Sequence, residues 1–146
     1  MRFRLALGAI VATCALIGLT CSKAGDSPRE RVLAFVRTVQ ADSLPDVARF
    51  LDLDSVATYE YPSGKFADLS LQQKKTRLID GFLRDGEYRR TWGKSQIVVN
   101  EEALLDDTTA TVEVSFIDRS TRIQYYSLMG LKKRNVNWLI CSFKVN

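Results

Sequence analysis

Residues 109–116 read Thr109-Ala110-Thr111-Val112-Glu113-Val114-Ser115-Phe116. Ala110, Val112, Val114 and Phe116 alternate with Thr111, Glu113 and Ser115, so one side is apolar and the other polar. Side chains of an extended chain point alternately to its two faces, and a period of two therefore marks a half-buried strand. The pattern continues on both sides. Upstream, Ile97-Val98-Val99 lies in a stretch from Lys94 to Leu105 that ends in the turn Asp106-Asp107. Downstream, Asp118-Arg119-Ser120 turns the chain into Arg122 to Lys132, where Ile123, Tyr125, Tyr126, Leu128, Met129 and Leu131 are apolar on both sides. Asn135 and Asn137 mark another turn. In the last strand Leu139, Cys141, Phe143 and Val145 are expected to face inward, with Trp138 and Ile140 pointing the other way. Connections this short favour an antiparallel meander of four strands.

Before Trp92 the period is 3.6. Ser27-Pro28-Arg29-Glu30 supplies a Ser cap, Pro at the first helical position and Glu three residues past the cap. Val32, Phe35, Val36 and Val39 then give a helix one apolar face. Ser43-Leu44-Pro45-Asp46 reads as a second cap with a short helix behind it, whose inner face holds Leu44, Val47, Phe50 and Leu51. Residues 52–69 are less regular, with Val56, Tyr59 and Tyr61 expected to be half-buried and Pro62-Ser63-Gly64 a turn. A third helix starts at Ser70, where Gln73 completes a capping box. Leu71, Leu78, Ile79, Phe82 and Leu83 form its stripe, and Gly86 is its expected stop.

The N-terminus is read as an address rather than as part of the fold. Arg2 and Arg4 precede Leu5 to Leu19, a run of fifteen residues without a charge. A permanent span needs about 20 apolar residues, and a basic start before a shorter run reads as a secretory signal. Gly18-Leu19-Thr20-Cys21-Ser22 resembles the lipobox of bacterial lipoproteins, which implies lipidation of Cys21. It departs from that pattern at Gly18, where a leucine is usual, and at Thr20, where Gly or Ala is usual. Cleavage after Ser22-Lys23-Ala24, and an uncleaved anchor, remain open. Residues 1–20 are thus assigned to a signal, 21–26 to a short linker and 27–146 to one folded domain.

The 146-residue chain carries 21 Lys and Arg against 17 Asp and Glu. Without Arg2 and Arg4 the basic count falls to 19 against the same 17, too small an excess for a nucleic-acid partner in an exported protein. There is no histidine, which removes Ser-His and Cys-His catalysis and the usual zinc ligand sets. Three cysteines cannot make a disulfide framework. Asp52-Leu53-Asp54 and Asp106-Asp107 lack the glycine and distal glutamate of a calcium loop, so turn and cap roles suit them better, and no metal or other cofactor is expected.

The helix start Ser27-Pro28-Arg29-Glu30-Arg31-Val32, the phrase Asp52-Leu53-Asp54-Ser55-Val56 and the strand-rich end resemble small bacterial lipoproteins with a nuclear transport factor 2-like (cystatin-like) domain. The resemblance implies an α+β fold with N-terminal helices packed on a curved antiparallel four-stranded sheet, a cone whose interior can be a pocket. Some members of that superfamily are isomerases or dehydratases, and others dimerise or bind.

An enzyme of this kind needs a carboxylate base inside the cone and a polar donor opposite. Asp52, Asp54 and Glu60 are the candidate carboxylates, and Tyr59, Tyr61, Tyr125 and Tyr126 the candidate donors. The favoured expectation is instead an exported, lipid-anchored binding or interaction module without a catalytic constellation. Its binding residues would be Tyr59, Tyr61, Trp92, Tyr126 and Trp138. Tyr126, Leu128, Trp138 and Ile140 break the polar phase of the sheet's second face. A homodimer partner, another envelope protein, a ligand or the chain's own residues 52–69 would cover it. A closed apolar interior with the three carboxylates in solvent would exclude the enzyme. An open pocket with a buried carboxylate facing a tyrosine would restore it.

Overall fold

The computed structural model describes residues 27–41, 44–83 and 85–145. The signal, the Cys21 site, the 21–26 linker and the Ser43 cap lie outside them. The order is α1 (Pro28–Gln40), a 3-10 helix (Leu44–Phe50), α2 (Leu53–Glu60), α3 (Leu71–Phe82), α4 (Glu87–Lys94), then β1 (Ser95–Leu104), β2 (Thr109–Asp118), β3 (Gln124–Arg134) and β4 (Asn137–Val145). The strands form one antiparallel sheet in the order β1-β2-β3-β4.

The helix starts follow from the capping chemistry. Ser27 Oγ accepts from the Glu30 N–H at 3.2 Å. At α3 both bonds of the capping box form, with Gln73 N–H donating to Ser70 Oγ at 3.3 Å and Ser70 N–H donating to Gln73 Oε1 at 2.7 Å. Val32, Phe35, Val36 and Val39 of α1 are all buried, whereas Leu71 and Leu83 at the two ends of the α3 stripe are exposed. The Phe35 ring is the hub of the core. Its centroid lies 5.5 Å from those of Phe82 and Trp92 and 5.9 Å from those of Phe50 and Phe143. Edge-on and offset aromatic pairs at such distances are favourable beyond the area they bury.

Three local expectations are corrected. Residues 53–60 are a helix, not part of a less regular stretch, and Asp52 starts it. The Asp52 carboxylate accepts from Ser55 N–H at 3.3 Å, while its own N–H donates to the Ile140 carbonyl at 2.8 Å. Gly86 is not the stop of α3, which ends at Phe82 with Leu83 as its C-cap, but the N-cap of α4, a helix the change of period at Trp92 concealed. In β4, Trp138 and Ile140 are buried and face inward with Phe143, while Leu139 and Cys141 do not. The cause is a bulge. Gly130 pairs with Ser142 but Leu131 pairs with Ile140, so Cys141 is the extra residue and the inward phase shifts by one. A second bulge lies in β1, where Val99 pairs with Val114 and Glu102 with Val112. Such bulges bend a strand and curve the sheet around its inner face.

Candidate functional site

Helix spacing and strand alternation bring one set of side chains together at an end of the sheet. Tyr88, Thr91 and Trp92 share a face of α4 at i, i+3 and i+4. Ser95 opens β1, Tyr125 and Ser127 stand two apart on β3, Phe116 pairs with Tyr125 across the sheet, and Phe143 comes from β4. Glu60, the last residue of α2, completes the wall. Together they line a cavity of about 270 Å³.

The lining is mostly aromatic. Trp92 packs against Phe116 with centroids 5.1 Å apart, and against Tyr88 and Phe143 at 6.4 and 6.2 Å. Polar groups are few. Tyr88 Oη donates to Glu60 Oε2 at 2.8 Å. Ser95 Oγ donates to the Thr91 carbonyl at 2.9 Å. Ser127 is 2% exposed and its hydroxyl has no hydrogen-bond partner among the described residues.

Burial pushes the Glu60 carboxyl above its ordinary range, the Tyr88 bond opposes that, and nearby Glu87 adds to it. Burial together with the Glu60 charge and bond pushes the Tyr88 phenol far up, so it stays a donor. Of the three carboxylates named from sequence, only Glu60 reaches the cavity. Asp54 is exposed and pairs with Lys75 at 3.0 Å. Asp52 pairs with Arg134 at 3.1 Å. Burial alone would raise the Asp52 pKa, but the bonds from Arg134 and Ser55 prevail and hold it below 3.8.

The residues expected to bind are scattered. Trp92 is in the cavity wall. Tyr59 is 47% exposed and borders a shallow groove with Asp54, Ser55, Thr58 and Cys141. Tyr61 stands edge-on to Phe66 with Arg77 above both rings, outside the cavity. Trp138 is 4% exposed, so it belongs to the core and not to an open face. Tyr126 is 44% exposed on the outer face of the sheet, opposite Ser115. That face is more polar than expected, because the bulge turns Trp138 and Ile140 inward and Asn100 Nδ2 donates to both Glu113 and Ser115. Cys141 is half-buried in the groove along α2, and burial pushes its thiol pKa up, away from reactivity.

Sequence reasoning missed Tyr88, Thr91, Ser95, Phe116, Ser127 and Phe143 as site residues. The α4 spacing Tyr88, Thr91, Trp92, Ser95 was the available signal, once Gly86 is read as a helix start. Among the described residues no helix is long and apolar enough to cross a membrane.

No protein-family model matches the chain, and no curated protein matches it. Two solved structures are similar in outline. One, from Xanthomonas campestris, is assigned as a calcium/calmodulin dependent protein kinase II association domain. It is 17% identical with a TM-score of 0.46, and the likeness covers 78% of this chain and 80% of that one. The other is a de novo designed protein with a curved β-sheet. It is 16% identical with a TM-score of 0.48, covering 80% of this chain and 81% of the other.

Proposed function

We propose that this chain is a binding module of nuclear transport factor 2-like type whose interior pocket takes a small, largely apolar molecule. The observation that carries the reading is the cavity of about 270 Å³, walled by Tyr88, Trp92, Phe116, Tyr125 and Phe143 and holding a single carboxylate. Concave, mainly aromatic sites with a few polar groups are the usual form of small-molecule sites, and drug-sized ligands occupy roughly 300–1,000 Å³. A cavity of about 150 Å³ already holds benzene. The occupant is therefore of one or two rings. Export and anchoring through Cys21 rest on the basic start, the apolar run and the lipobox-like stretch.

The test is a titration of the full chain with naphthalene, followed by the NMR signals of the two indole N–H groups. Trp92 shifts saturably and Trp138 does not, and Thr91→Phe, which plugs the wall, abolishes the shift. Absence of a saturable Trp92 shift would end the pocket reading. Intact mass of membrane-extracted protein tests the anchor. Wild type carries acyl mass on Cys21 and Cys21→Ala does not, and an unmodified chain beginning at Gly25 would leave a simply secreted protein.

A second reading, a small lyase or isomerase, is favoured by one specific observation: Glu60 lies in the pocket, its carboxyl raised by burial and bonded by Tyr88. A carboxylate so placed is suited to taking a proton from a bound carbon acid. The same Tyr88 bond opposes that rise and occupies one carboxylate oxygen, which is why binding stands first. Glu60→Gln separates the two. A binding wall keeps its affinity for naphthalene, whereas a catalytic base loses turnover by 10²-fold or more, on the order of general-base effects.

A further inference from the structure

We propose that Ser127 is the group that orients the pocket's occupant, and that this occupant is an uncharged aromatic molecule carrying one hydroxyl or carbonyl oxygen. The inference rests on the pocket reading above and adds the chemistry of the ligand to it. Ser127 stands on the inner face of β3 between Tyr125 and Met129, where its neighbours are apolar and an alanine would fit. Its Oγ is buried and unpartnered among the described residues, and the hydroxyl meets a guest by turning about Cα–Cβ into the cavity its residue lines. Buried hydroxyls are almost always hydrogen-bonded, and one in a wall of Trp92, Phe116 and Phe143 with no partner among the described residues calls for a partner from outside them. A hydroxyl at that position has its use when the pocket is filled.

Three other polar groups of the wall narrow the class. Ser95 Oγ is engaged with the Thr91 carbonyl, and the Tyr88 hydroxyl with Glu60. Neither needs the ligand. Glu60, with Glu87 close by, repels an anion. A cation would have to leave water for an aromatic chamber whose single carboxylate already accepts a hydrogen bond. A neutral ring with one oxygen satisfies Ser127 without either cost.

Three probes of one shape, naphthalene, 2-naphthol and 2-naphthoate, are titrated into the full chain and into Ser127→Ala and Ser127→Thr, with the Trp92 indole signal as readout. In wild type 2-naphthol binds about three- to tenfold tighter than naphthalene, the range expected of one neutral hydrogen bond, and 2-naphthoate binds weakest. In Ser127→Ala the preference for 2-naphthol falls to within about twofold while naphthalene binds as before, and Ser127→Thr, which keeps the oxygen, retains the preference. Ser127→Ala melts at or above the wild-type temperature, because it removes an unpaired buried group. A preference for 2-naphthol that survives in Ser127→Ala overturns the role of Ser127 alone, and tighter binding of 2-naphthoate overturns the uncharged ligand. Failure of all three probes to bind wild type overturns the pocket reading, and this inference with it.

Discussion

Tyr88 Oη and Glu60 Oε2 meet at 2.8 Å inside the cavity, tying the end of α2 to the first turn of α4. The pair joins two short helices that share little other sequence signal, and its carboxyl titrates above the ordinary range.

Glu60 titrates above its ordinary value of 4.5 in the folded protein because burial disfavours its charge. The folded state therefore holds this proton more tightly than the unfolded state. Its contribution to stability is full below pH 4.5 and is lost as pH rises through the folded pKa. Thermal melts of wild type and Glu60→Gln from pH 4 to 8 check this. The variant gains on wild type as pH rises, and its amide oxygen still accepts from Tyr88. Parallel curves would contradict the shift.

Gly86→Ala is the most damaging small substitution available at the site's edge. A Cβ there would run into the carbonyl oxygens of Asp80 and Gly81 at the end of α3. Backbone atoms cannot step aside as a side chain can, so α3 and α4 must separate, at about 1–3 kcal/mol. Chemical denaturation measures the loss. The φ of Gly86 is −70°, so crowding and not left-handed backbone is the cause.

Asp52→Ala removes the cap of α2 and the ion pair with Arg134 together. Cap loss costs about 1 kcal/mol. The pair adds under about 1 kcal/mol, because Arg134 is largely exposed. Arg134→Ala alone reports the pair, and the difference between the two variants reports the cap. As pH falls through the lowered Asp52 pKa the wild-type advantage disappears, since the carboxylate contributes only when ionised.

Asp106 and Asp118 each hold the connection between two strands. Asp106 Oδ2 accepts from Thr109 Oγ1 at 2.6 Å, and its Oδ1 accepts from Thr108 N–H and Oγ1 and from Thr109 N–H. These bonds, that of Thr109 foremost, lower its pKa to about 2. Asp118 is held at about 2 by Ser120 and Thr121 in the same way. Carboxyl NMR titration of Thr109→Val would show Asp106 moving back toward 3.8 and Asp118 unmoved. Both turns hold through the ordinary carboxylate range and loosen only as pH falls toward about 2.

The strands and the starts of α1 and α3 were legible because their signals are local. Alternation in Ala110 to Phe116 and the boxes at Ser27 and Ser70 need no distant partner. Helices α2 and α4, LDSVATYE and EYRRTWGK, are eight residues each, and α4 is mostly polar. Helices that short form through caps and packing rather than propensity. The inward phase of Trp138 and Ile140 was hidden by the Cys141 bulge, since one extra residue reverses every side chain after it. Glu60 was legible as a carboxylate awaiting a tyrosine, but the tyrosine is Tyr88, on a helix the period did not reveal. Ser127 gave no signal, because a serine on a strand is ordinary until its surroundings are known.

Helix α4 ends at Lys94 and β1 begins at Ser95, with no residue between them. Thr91, Trp92 and Ser95 straddle that junction, and the Ser95–Thr91 bond clamps it. One flank of the chamber is thus cast in a single piece with the sheet. For the binding module proposed above, selection by outline follows: a guest of the right girth arrives at a mould of which one side is already set.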